Sequence, residues 1–151
     1  MKHLRIFCLI AFLLYGCTPD VDDNIAIKKL LEKESATWRS GDVKEHADCW
    51  SVEPGTSMIV STADGRAYDV PVDKITNPAP GSMGNGGRAE NSNYKISIEG
   101  NMAFVTHKEV SYTTDNSKSY SYEMRILKKI NGEWKLVAQS IHLYDPGKQA
   151  E

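Results

Sequence analysis

The side chain that most invites chemistry is Glu34. On a helical wheel it lies within about 20° of the direction shared by Ile27 and Trp38, at the centre of an apolar stripe. An isolated carboxylate in apolar surroundings is costly, so this one must be ion-paired, neutral, or lining a wet pocket. Two readings follow. Glu34 is a pocket acid that recognises a polar ligand or transfers a proton, or it is a structural acid bonded to Tyr122, Arg125 or a backbone amide. Under the first reading, Glu34→Gln leaves the fold intact and weakens ligand retention. Other side chains could share such a pocket. Trp38 and Trp50 could floor it, and Tyr122 suits a sugar or aromatic ligand as well as it suits strand propensity. Ser140 and His142 fall together on one face of the final strand, with Trp134, Leu136, Ala138 and Tyr144.

Metal and nucleophilic chemistry find less support. His46, His107 and His142 sit on separate elements without paired ligand spacing, so no metal site is expected. His46 reads as a packed core histidine. Cys49 flanks an apolar stripe without a visible base, which reads as a buried inert thiol. The segment 77–93 contains ten Gly, Pro or Asn residues in seventeen. It lacks the Gly-Lys-Ser/Thr ending and following helix of a phosphate loop, so it is a surface loop or pocket lid. No cofactor is expected.

The elements that must position these residues follow from periodicity. Ile27, Leu30, Leu31, Glu34 and Trp38 form one helical face between Asp23 and Ser40, and Gly41 ends that helix at a left-handed position. Asp42 caps a second helix whose face is Val43, His46, Ala47 and Trp50, with Glu45 completing a capping-box pattern. After Pro54-Gly55 the period falls to two. Segments 57–62 and 67–70 flank a turn at 63–66, and 93–99 and 102–113 flank Gly100-Asn101. Segments 119–130 and 133–144 flank Asn131-Gly132, the strongest hairpin signal in the chain. Helices followed by consecutive hairpins define an α+β domain with an antiparallel sheet.

The first sixteen residues are unlike the rest. A basic start (Lys2, Arg5) precedes the apolar run from Ile6 to Leu14, too short to span a bilayer and of the length of a secretory signal core. Leu14-Tyr15-Gly16-Cys17 resembles the bacterial lipobox, apart from the bulky Tyr15. That resemblance implies a signal peptide at 1–16, lipid on Cys17, a polar tether at 17–22 and a domain at 23–145 with a tail at 146–151. Several acyl chains anchor stably where one is marginal. With Cys8 removed and Cys17 acylated, Cys49 has no partner for a disulfide. The expected location is the bacterial cell envelope, on the periplasmic or outer-membrane surface.

The helix ending Ala36-Thr-Trp38-Arg-Ser-Gly41-Asp42, then Gly100-Asn-Met-Ala103-Phe-Val105 and Leu127-Lys-Lys-Ile-Asn-Gly132-Glu-Trp134-Lys-Leu136-Val137, resembles a SnoaL-like domain. That family is similar to ketosteroid isomerase within the nuclear-transport-factor-2-like superfamily. The resemblance covers roughly residues 23–144. It implies a cone: two or three N-terminal helices packed in a strongly bent antiparallel sheet of about six strands, with a pocket between them, and frequent homodimers. It also places an isomerase's base near Val60-Ser61-Thr62, an oxyanion tyrosine at position 34 and a second acid at position 122. This chain has no carboxylate at 60–62, a glutamate at 34 and a tyrosine at 122. Steroid-type isomerisation is therefore not expected, and a fold of this kind does not itself decide function.

The expected function is a membrane-anchored pocket domain without catalysis, holding a small hydrophobic or polar-headed ligand. The alternatives are an isomerase- or dehydratase-type enzyme using Glu34, or a structural dimer joined through Val137, Ile141 and Leu143. Nucleic acid is not an expected partner. The 151-residue chain has a formal charge of −2, and beyond the first sixteen residues 16 basic face 20 acidic side chains.

Overall fold

A computed structural model describes residues 23–148. The expected signal peptide, Cys17, the tether and the last three residues lie outside the described residues. Helix α1 (Asp23–Ser40) is followed by α2 (Val43–Ala47), strands β1 (Ser57–Ser61) and β2 (Ala67–Pro71), and a short α3 (Val72–Thr76). Four longer strands complete the domain: β3 (Arg88–Glu99), β4 (Met102–Tyr112), β5 (Lys118–Ile130) and β6 (Glu133–Tyr144). No described helix is long and apolar enough to cross a membrane.

The ends of α1 are fixed by local chemistry. At its start, Asp23 accepts hydrogen bonds from Lys129 Nζ (2.8 Å) and Trp134 Nε1 (2.9 Å), which pins the helix to the β5–β6 hairpin. At its end Gly41 has φ +76°. Its N–H donates to Trp38 O, and Asp42 N–H donates to Thr37 O, so both bonds of a Schellman cap are made. Asp42 caps α2 by accepting from Glu45 N–H at 3.0 Å. Helix α2 ends at Ala47, short of Trp50, which instead bridges to Leu136 in a strand-like contact.

The sheet order is β2-β1-β6-β5-β4-β3. Every pair is antiparallel except β1 with β6, which run parallel. This corrects the expected all-antiparallel sheet: the chain reaches β1 directly from the helices, and β1 then adds beside the strand that closes the domain. The hairpin at Asn131-Gly132 forms as expected, with φ of +52° and +86° at its two residues. Strand β3 begins at Arg88, so the glycine-rich loop is shorter than its composition suggested.

Along the cone the interior changes character. Near the β5–β6 turn it is apolar: Ile27 and Leu31 of α1 join Val105, Leu127, Leu136 and Trp134 in one buried cluster. Further along, the same inward faces become polar, with His107 and Glu109 on β4, and Ser121, Glu123 and Arg125 on β5. The sheet curls enough that Met58 of β1 and Glu109 of β4, three strands apart, line one cavity with α1.

A register shift on β6 decides which residues enter that cavity. Leu127 pairs with Leu136 while Ile126 pairs with Ala138, leaving Val137 as an extra residue. Beyond it the inward face is Gln139, Ile141 and Leu143 rather than Ala138, Ser140 and His142. The expected dimer seam is thereby corrected, because Ile141 and Leu143 point into the domain.

The glycine loop docks on the end of α1. Gly84 and Gly86 N–H groups donate to Trp38 O and Arg39 O, both at 3.0 Å. At Gly87, φ is +79° and an added Cβ would lie 1.9 Å from Tyr112 O; at Gly81, φ is +78° and an added Cβ would meet nothing. Gly81→Ala should therefore cost about 1 kcal/mol, the usual left-handed penalty. Gly87→Ala should cost more than about 3 kcal/mol because backbone must also move. Urea denaturation of the two variants measures the difference.

Candidate functional site

The open part of the cone holds a cavity of about 280 Å³ between the second half of α1 and the curled sheet. One wall is apolar, formed by Trp38, Met58, Val60, Ile141 and Leu143. The floor is polar and carries charged side chains on three elements. Asn85 of the docked loop stands at the rim.

Glu34 lies on this floor, and its partner is Arg125. Arg125 Nη1 donates to Glu34 Oε2 at 2.7 Å, while Nε donates to Glu123 Oε2 at 3.0 Å and Nη2 donates to the same carboxylate. The guanidinium is 2% exposed. Burial alone would lower its pKa, but the two flanking carboxylates raise it, so it stays charged. Burial pushes Glu123 the opposite way, towards the neutral form, and the adjacent Arg125 charge overrides this and holds its carboxyl below the ordinary range. Ser121 Oγ donates to Glu123 Oε1 at 3.0 Å, and Gln139 Nε2 to Oε2 at 3.3 Å.

A second clamp reverses the polarity. Here α1 supplies the cation: Arg39 Nη2 donates to Glu109 Oε1 of β4 at 2.6 Å. Ser111 and Ser35 hydroxyls donate to the two oxygens of that carboxylate at 2.7 and 3.1 Å. Arg39 Nη1 also donates to Ser35 O at 2.8 Å. Each clamp therefore ties the helix to the sheet through a buried or nearly buried charge pair, and serine hydroxyls add hydrogen bonds to Glu123 and Glu109.

Two histidines border the network. His46 Nδ1 is 3.2 Å from Glu34 O and 3.8 Å from Glu34 Oε1, and its ring packs 5.3 Å from Trp38. His107 is stacked on Tyr94 at 4.9 Å, with Nε2 3.7 Å from Glu123 Oε2. Burial, helped by the Arg125 charge, lowers the His107 pKa and keeps that ring neutral. Burial also pushes the Cys49 thiol up to about 11, so it is not poised as a nucleophile. Among the described residues no His, Cys, Asp and Glu side chains cluster as a metal site would require.

Of the six ligand-binding candidates read from the sequence (Glu34, Trp38, Trp50, Tyr122, Ser140 and His142), the structure brings Glu34 and Trp38 to the cavity. Trp50 is buried in the apolar core, because α2 stops before it. Tyr122 is 41% exposed on the outer face of β5, 4.9 Å from Tyr144, since its neighbours Ser121 and Glu123 take the inward positions. Ser140 and His142 bond each other at 2.9 Å on the same outer face, moved there by the Val137 bulge. Sequence reasoning missed Glu109, Glu123 and Gln139, and placed Arg125 only as one option for Glu34. The readable signal was the period-two series Ser121, Glu123, Arg125, Leu127, which joins the charges to a core leucine.

No protein-family model matches the chain, and no curated protein matches it by sequence. Solved structures do match its shape. A protein of unknown function with a cystatin-like fold from Nostoc punctiforme superposes with a TM-score of 0.65 at 16% identity, covering 83% of this chain and 93% of that one. An NTF2-like protein of unknown function from Shewanella baltica gives 0.60 at 20% identity, covering 85% and 98%. A Novosphingobium aromaticivorans protein, provisionally named a scytalone dehydratase, gives 0.60 at 17% identity, covering 85% and 95%. The chain thus has an NTF2-like α+β fold, with N-terminal helices and a six-stranded mixed sheet.

Arg125→Met should destabilise the domain by about 3–5 kcal/mol, because it leaves two buried carboxylates without their cation. Acid should weaken the fold in two stages. Unfolded histidine titrates near 6.5 and folded His107 below that, so the unfolded chain binds more protons and stability falls as pH drops from 6.5. Glu123 is depressed below 4.5, so its contribution is complete above that value and disappears as pH falls through the folded pKa. Urea midpoints measured across this range should fall monotonically, and His107→Asn should flatten the upper stage.

Proposed function

We propose that this chain is a lipid-anchored, non-catalytic binding domain of the bacterial cell envelope, which holds one small molecule in the cone. The observation that carries the binding reading is the cavity itself: an apolar wall on one side faces a buried, hydrogen-bonded charge network on the other. Such a site suits a ligand with an apolar body and a polar head. Its volume of about 280 Å³ gives room for a ligand on the order of ten non-hydrogen atoms.

The non-catalytic part rests on the state of the candidate acids and bases. Glu34 is held by Arg125, Glu123 is held ionised, and His107 sits behind the floor as a neutral ring. A proton shuttle needs a group free to exchange its proton with a substrate near the working pH. The competing enzyme reading, a dehydratase or isomerase using Glu34, draws on the name of the Novosphingobium neighbour and on Glu34 Oε1, which accepts no hydrogen bond among the described residues. It would require a pH–rate profile that loses one titration in Glu34→Gln.

The anchor rests on Leu14-Tyr15-Gly16-Cys17 alone. Homodimerisation draws on the outer sheet face, where Phe104, Met124, Tyr122 and Ile59 are exposed. Native mass spectrometry of the full chain released from non-ionic detergent should show a retained small molecule and a dimer mass. A bare, ligand-free monomer under all mild conditions would remove both readings. In bacteria, Cys17→Ser should abolish incorporation of labelled palmitate and shift the protein out of the membrane fraction; unchanged fractionation and labelling would remove the anchor.

A further inference from the structure

Resting on the binding reading above, we propose that the cone's ligand is a small organic cation: an ammonium head on an apolar body. Two independent features of the cavity lead there. The first is its charge. Three carboxylates (Glu34, Glu109, Glu123) face two guanidiniums (Arg39, Arg125) across its floor, which leaves one negative charge when His46 is neutral. The second is that the two buried side-chain atoms of its lining without a hydrogen-bond partner, Gln139 Oε1 and His46 Nε2, are both acceptors.

Both guanidiniums and three hydroxyls of the floor already donate to protein partners. Arg125 donates from Nε and both Nη atoms to Glu34 and Glu123. Arg39 donates from both Nη atoms, and the hydroxyls of Ser35, Ser111 and Ser121 donate to carboxylates. The acceptors are not so committed. Gln139 is 5% exposed, and because its Nε2 donates to Glu123, its Oε1 points elsewhere and is buried without a partner. His46 is 1% exposed, and its Nε2 is likewise unpartnered. A carbonyl can only accept, so Nδ1 carries the proton shared with Glu34 O, and Nε2 of the neutral ring is a lone pair. Glu34 Oε1 is the third acceptor, with His46 Nδ1 3.8 Å away.

An excess negative charge beside buried, unpartnered acceptors favours a ligand that is positive and donates. A carboxylate or phosphate ligand would bring more acceptors and a repelled charge, and no uncommitted guanidinium waits for it. Trp38 also lines the cavity, and an aromatic ring there attracts a cation placed over its face. The apolar wall of Met58, Val60, Ile141 and Leu143 takes the body of the molecule.

The test compares three probes of nearly one size and shape on the full chain in non-ionic detergent, by titration calorimetry at about pH 8, where an ordinary imidazole is neutral. 2-Phenylethylamine is the cation, 2-phenylethanol its neutral counterpart and phenylacetate the anion. The amine should bind at least about ten-fold more tightly than the alcohol, and phenylacetate should be weakest. Equal or tighter binding of the alcohol or the acid overturns the cation assignment and leaves the binding reading standing. Absence of binding by all three overturns both. Glu34→Gln should weaken the amine by about ten-fold and the alcohol far less. If that variant does not fold, Leu143→Trp, which fills the cavity without touching a charge, should abolish amine binding in its place. Unchanged amine binding in a folded variant places the cation outside the cone and overturns the proposal.

Discussion

The domain depends on a guanidinium that lies between a helix and a sheet. Arg125 is buried on β5, and it is the cation that lets Glu34 sit in the middle of an apolar helical stripe and Glu123 face the interior of a strand. Removing charges from water costs several kcal/mol each, and close, multiply hydrogen-bonded geometry is what returns it. The second clamp, Arg39 on Glu109, repeats this with the polarity exchanged. Because α1 contributes an acid to one clamp and a base to the other, the helix cannot slide by a turn or rotate without separating both pairs. At the closed end the helix is held instead by packing around Ile27 and Leu31 and by the bonds of Asp23 to Lys129 and Trp134. The clamps therefore set the position of α1 at the open end, where the core runs out.

This also explains how much of the fold was legible. Helix α1 was readable to the residue, because its stripe, its Gly41 stop and the Asp42 cap are local signals. The Asn131-Gly132 hairpin was equally clear. The parallel pairing of β1 with β6 was not, since it joins segments some eighty residues apart and leaves no local mark. The end of α2 at Ala47 was missed because Trp50 fits a helical stripe and a strand bridge equally well.

The candidate site was harder to read for a physical reason. On β5, Tyr120, Tyr122, Met124 and Ile126 form an apolar alternation that a simple reading turns inward. The structure turns it outward and buries Ser121, Glu123 and Arg125 instead. Hydrophobic patterning assumes that the interior is apolar, and here it is apolar only as far as Leu127. On β6 the difficulty is different: one bulged residue, Val137, exchanges the two faces, and nothing in the run Leu136-Val137-Ala138 marks it. Glu34 was findable because a single charge in an apolar stripe breaks the pattern. Its partner could be named only among alternatives, since the pairing spans 91 positions.

An inverted interior of this kind has a functional consequence. The cost of dehydrating the floor of the cavity is met when the protein folds, by partners on α1, β4 and β5, and is not met again when the cavity is occupied. The carboxylates are already oriented by serines and guanidiniums, so a guest need not organise them. The same fixation works against acid–base turnover, because a carboxylate locked in an ion pair resists the change of protonation that catalysis asks of it. On the binding reading proposed above, a cone whose charges are held this firmly would discriminate among guests by charge and donor pattern, and the opposing apolar wall would then decide which of those guests fit.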